Sequence, residues 1–154
     1  MSERELFRHT VATLAYRGGK AIRGAPESFA SFDGAGKTPV TILAHIGDLL
    51  DWTLRMARGS AEWKNSQAQS WDAESRRFFE RLTELDALLA SNDALQAPLE
   101  RLFQGPIADA LTHVGQVAMM RRMAGSPMRG ENYYVAHIEA GRVGADQTAA
   151  ANEF

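Results

Sequence analysis

Apolar residues recur at spacings of three and four through four separate stretches of this chain, and almost nowhere do they alternate. No other feature restricts the fold as much, because a period near 3.6 gathers such residues on one face of a helix, whereas a half-buried strand needs a period of two. The first stretch opens with Ser2 and Glu5 in capping-box spacing and carries Phe7, Val11, Leu14, Gly18 and Ile22 on one face. A break follows at Gly24-Ala25-Pro26, and a long connection pinned by Phe29 and Phe32 leads to residue 38. Thr38-Pro39 reads as an N-cap with proline in the first helical position, opening a second helix that runs to about Arg58. Beyond the polar stretch GSAEWKNSQAQS, a third helix is expected over Trp71 to Ala90, burying Phe78, Leu82, Leu85 and Leu89. The fourth is expected to open at Gly105-Pro106 and to end at Gly125; being apolar on more than one face, it reads as the central helix. The expectation is an all-α chain, a four-helix bundle over residues 1–125 with an irregular C-terminal extension over 126–154 that wraps the bundle or covers a neighbouring subunit.

Composition narrows the classes of function. At 154 residues, 45% hydrophobic and 23% charged, the chain fits one soluble globular domain. A formal charge of −2 gives no strong field for nucleic acid or anionic lipid, and Arg121-Arg122 with Arg129 is too short a basic cluster to argue for either. The start, MSERELFRHT, is charged where a signal peptide needs an apolar core, and no stretch reaches the ~18 apolar residues of a membrane span. A cytoplasmic protein with no membrane or nucleic-acid partner is expected. Cysteine is absent, so any metal has to be held by histidine and carboxylate.

One motif points toward nucleotides and fails. FDGAGKTP ends in Gly36-Lys37-Thr38 like a phosphate-cradling loop, but the first glycine of that loop would fall at Ser31. The loop also works at a strand-to-helix turn, and no strand is expected here. Gly34 and Gly36 read instead as turn residues, and no nucleotide-binding residue is assigned.

The second and fourth helices carry polar residues on apolar faces. Ile42, His45, Leu49, Trp52 and Met56 form one stripe with His45 in its middle, while Asp48, Asp51, Arg55 and Arg58 form the side expected to be solvated. On the fourth helix Asp109, His113, Gln116 and Met120 share a face. Two neutral imidazoles and one carboxylate complete three positions around zinc, or a facial triad around iron, and leave sites open for water or substrate. Plainer readings exist: His45 as a hydrogen-bonded core residue, Asp109 as an acid in a helix's first turn, or Asp109 and His113 paired without an ion. The other histidines suggest less, His9 lying on the polar side of the first helix with Lys20 and His137 in the tail. Met119, Met120 and Met123 read as core filling.

ILAHIGDLLDWTL around His45 and DALTHVGQVAMMRRMAG around His113 give the chain, over roughly residues 5 to 125, a resemblance to the DinB-like family of metalloenzymes, whose superfamily includes bacillithiol- and mycothiol-dependent thiol transferases. The family pattern is one histidine on the second helix and two, four apart, on the last. His45 matches the first, His113 with Gly115-Gln116 matches the last, and Asp109 replaces the middle one. The resemblance implies an up-down-down-up bundle, a homodimer, and a divalent ion held by His45, Asp109 and His113, nickel or zinc before iron or manganese. It implies no single reaction. The readings carried forward are a metal-dependent hydrolase or thiol transferase, with Gln116 behind the ligands or against a small-molecule or thiol substrate, and a non-catalytic stress-response or binding bundle with a structural metal or buried polar network.

Overall fold

The structure, a computed structural model, describes residues 1–154 and is all-helical. Helix α1 spans Glu3–Ile22, α2 Pro39–Ala57 and α3 Trp71–Ala90. A fourth helical run begins as α4, Leu99–Leu102, passes through a π-helical turn, Phe103–Ile107, and continues as α5, Ala108–Met123. The caps are those the sequence specifies. Ser2 and Glu5 close a reciprocal capping box on α1, and Thr38 accepts from Thr41 N ahead of Pro39 in α2.

The fourth helix starts earlier than Gly105-Pro106 implies. Proline has no N–H to donate and crowds the preceding turn, so it usually begins or breaks a helix. Here the π-helical turn widens the coil around Pro106, and the N–H of Ala108 reaches back to Gly105 and Phe103 carbonyls, so the helix runs on. Asp109 therefore does not sit among the free N–H groups of a helix start.

Cross-helix contacts fix the directions. Arg8 meets Asp86 and Arg4 reaches the Ser91 carbonyl, so α1 and α3 are antiparallel. Asp48 meets Arg77 and Arg58 meets Glu84, so α2 and α3 run parallel, which the long connection between them allows. His45 lies by Asp109 while Gly34, ahead of α2, faces Met120, so α2 and α5 are antiparallel. The bundle runs up, down, down, up, with α1 diagonal to α2 and α3 diagonal to α5. Its core holds Val11 and Leu14 of α1, Leu43 and Leu50 of α2, Phe78, Leu82 and Leu85 of α3, and Val114 and Val117 of α5. Gly18 lets α1 and α3 close up, because a Cβ there would run into the Phe78 ring.

Several polar positions differ from their expected exposure. Asp48, placed on the solvated stripe of α2, is buried, because Arg77 of α3 and residue 66 fold over it. Lys20, placed on the polar side of α1, is also buried, its ammonium 2.7 Å from Glu131 Oε2. Arg121 leaves the supposed basic cluster for the interior, where it donates to the carbonyls of Ala21, Arg23 and Ser126 and so caps two helix ends. Helix α5 is not central: Asp109, Gly115, Gln116, Met119 and Met123 are exposed. The extension wraps its own bundle. Glu131 accepts from Tyr16 and Lys20, Val143 enters the core, and the tail closes on itself through Asn132 N to Asn152 O and Phe154 N to Gly130 O. No helix is long and apolar enough to cross a membrane.

Candidate metal centre

Three segments build the site. The first is the 32–38 connection, which begins where the phosphate loop was sought. Gly34 and Lys37 pair as an isolated antiparallel bridge, with Ala35 and Gly36 at φ of +57° and +83° between them. Two central residues at positive φ make a tight hairpin turn, which explains the glycine at 36, and Asp33 Oδ1 secures it by accepting from Gly36 N at 3.0 Å. The turn delivers the chain to Thr38, and α2 then presents His45 toward α5.

The second segment is α5. Asp109 and His113, one turn apart, share the face that meets α2, and the structure brings all three expected ligands together. His113 Nε2 lies 3.4 Å from Asp109 Oδ1 and His45 Nε2 lies 3.7 Å from Asp109 Oδ2. The imidazole planes cross at 89° with centroids 4.7 Å apart, and one nitrogen or oxygen donor from each residue falls within 4.8 Å of the others. Gln116 Oε1 stands 2.7 Å from His113 Nδ1. An amide oxygen there requires the proton on Nδ1, which leaves the Nε2 lone pair free toward Asp109.

The three donor groups lie close enough together that they could hold a metal ion. Neither histidine is hydrogen-bonded to Asp109, since both N···O distances exceed the roughly 2.7–3.2 Å of such bonds. Two ligand atoms, each about 2.0–2.1 Å from a tetrahedral ion, stand roughly 3.3 Å apart; the two distances here run to different oxygens of Asp109, and one donor from each residue lies within 4.8 Å of the others, so binding an ion would draw the three side chains inward. The Asp109 side chain is 48% exposed and His45 38%, although both were expected on apolar faces, so burial of the carboxylate does not itself call for a cation. In exchange, one side of the cluster is open to solvent, where further coordination positions would lie. Burial and the neighbouring His113 push the His45 imidazole below its usual range despite the opposing charges of Asp109 and Asp48, and the Lys37 ammonium adds to the same effect. A neutral His45 is the form that binds a cation.

The third segment, residues 59–70, escaped the sequence reading. Trp63 packs edge-on against His45 with centroids 5.7 Å apart and against Trp52 at 5.5 Å. Ser66 N donates to the buried Asp48 at 3.0 Å, Ser66 Oγ accepts from Arg77 at 3.0 Å, and Trp52 Nε1 donates to Ala61 O at 3.1 Å. A lone tryptophan in an otherwise polar stretch was the available signal. His9 and His137 take no part in the cluster. No family model matches this chain, and no similarity to a curated protein or to a solved structure was found.

Proposed function

We propose that the chain is a divalent-metal-dependent enzyme of the DinB-like type, a hydrolase or thiol transferase acting on a small molecule or thiol, with His45, Asp109 and His113 as ligands. One observation carries this reading: two imidazoles and a carboxylate converge to within 4.8 Å, without hydrogen bonds among them, while the far nitrogen of His113 meets Gln116. The up-down-down-up bundle agrees with the resemblance around His45 and His113. A divalent ion held there supplies the charge that lowers the pKa of a water or thiol near neutral pH. Gln116 holds His113 in the tautomer that binds, and Asp109 offsets part of the ion's charge at the solvent side. The open side favours this reading over a structural metal, which takes a fourth protein ligand and a closed site. Nickel or zinc suits the imidazoles, and the carboxylate in place of a third histidine shifts the preference toward harder ions, iron or manganese. We further propose that the protein acts in the cytoplasm as a homodimer.

Metal analysis of protein purified without an affinity tag, with melting in the presence and absence of chelator, tests the proposal. Stoichiometric metal, lost with chelator alongside a fall in Tm, is expected, since a ligand at a hundred times its Kd stabilises the native state by about 2.7 kcal/mol. Absence of stoichiometric metal together with a Tm unmoved by zinc, nickel or iron would overturn it.

A further inference from the structure

Trp63 is the only large apolar side chain between Gly59 and Ser70, and it is 37% exposed. An indole serving only to fill the core would turn inward, where core atoms would surround it. Instead its ring stands edge-on to His45, the imidazole whose Nε2 lies by Asp109. Its N–H is held by Asn65 Oδ1 at 3.1 Å, and its other neighbour, Trp52, contributes a second ring at 5.5 Å.

The mounting is as informative as the ring. Before Trp63, the segment is tied to α2 by the indole of Trp52 on the Ala61 carbonyl. After it, Ser66 is held by both partners of the Asp48–Arg77 ion pair, its N–H by Asp48 and its hydroxyl by Arg77. Arg77 Nη2 lies 2.6 Å from carboxylate oxygens of both Asp48 and Asp51, and its guanidinium lies on Gly47, where a Cβ would come 2.7 Å from Nη1. A loop without regular structure is thus fastened on each side of one aromatic ring, which lowers the entropic cost of presenting that ring to a ligand.

From this geometry, and resting on the metal-site reading, we infer that Trp63 is a specificity-determining wall of the site, favouring ligands that meet the ion through an anionic group and lay a flat apolar body against the indole. Asp48 and Arg77 are positioning residues that act through Ser66. The class selected is a small aromatic or otherwise planar anion rather than a short aliphatic one.

The test compares acetohydroxamate with benzohydroxamate, two anionic chelators that differ in a ring, binding to zinc-loaded protein by titration calorimetry after zinc affinity itself has been measured. The ratio of the two affinities is expected to fall by about tenfold from wild type to Trp63→Ala, with zinc and acetohydroxamate affinities within about twofold of wild type. Trp63→Phe should keep most of the preference. An unchanged ratio in Trp63→Ala, with zinc bound normally, overturns the wall and leaves the metal centre standing. A parallel loss of zinc and both chelators overturns it too, since Trp63 would then only brace His45. Failure of wild type to take up zinc, nickel or iron removes the metal reading and this inference with it.

Discussion

Replacing Arg77 with methionine keeps most of the side chain's apolar stem and removes the charge that three acids share. Asp48 and Asp51 each place an oxygen 2.6 Å from Nη2, and Glu74 lies 3.4 Å from Nη1. Burial works against the guanidinium's charge, yet the hydrogen bonds it donates to Asp48 and Asp51 outweigh it and raise its pKa above the ordinary arginine value. Breaking a buried pair by deleting one partner costs about 3–5 kcal/mol, because the remaining charge keeps its desolvation penalty. The Asp48 and Glu74 side chains are 5% and 4% exposed and suffer that penalty, whereas Asp51, at 24%, is relieved by water. The low end of the range, about 3 kcal/mol, is therefore expected for Arg77→Met. In a domain of this size that is a fall in Tm of roughly 6–12 °C. Urea denaturation followed by circular dichroism gives the free energy, and hydrogen exchange at the Ser66 amide reports whether residues 59–70 come loose. A loss under about 1 kcal/mol, the value of an exposed pair, with Ser66 still protected, would refute the assignment of Arg77 as the fastening of that segment.

Three other outcomes follow from the same geometry. Gly18→Ala should cost a net ~1–2 kcal/mol in chemical denaturation, because the new methyl meets the Phe78 ring while alanine's helix propensity returns part of the loss. Glu131→Gln should lower Tm and raise hydrogen exchange over residues 130–154, since the fully buried carboxylate is what holds Lys20 and Tyr16 to the tail. Below the ordinary histidine value of 6.5 the metal-free protein should weaken: His45 binds its proton less readily when folded, the unfolded chain takes up more protons, and stability rises with pH through that window. Denaturation between about pH 5 and 8 should show that slope in wild type, and less of it in His45→Gln, whose amide does not titrate.

Helix α3 was legible from Trp71 to Ala90 because Phe78, Leu82, Leu85 and Leu89 make a single apolar stripe, and the structure adds a cap at Ser70, whose hydroxyl accepts from Ala73 N. The fourth helix was legible only in part, since Gly105-Pro106 carries the local signal of a helix start and only the bundle keeps the helix going through it. Periodicity put His45, Asp109 and His113 on the right helix faces, and the antiparallel pairing of α2 and α5 then brings them together. It misjudged Asp48 and Lys20 for one shared reason. Their covers, Ser66 with Arg77 and Glu131, come from distant parts of the chain, which a helical wheel does not contain. The same limit hid Trp63, whose place beside His45 depends on where Asp48 and Arg77 hold Ser66.

The central claim is that His45, Asp109 and His113 hold one divalent ion. Crystals of protein loaded with zinc or nickel, measured on either side of the metal's absorption edge, locate that ion directly. The account predicts one strong anomalous peak within about 2.0–2.2 Å of both Nε2 atoms and an Asp109 carboxylate oxygen, with at least one coordination position open to solvent. A peak elsewhere, or none at this cluster in crystals soaked with excess metal, would contradict it.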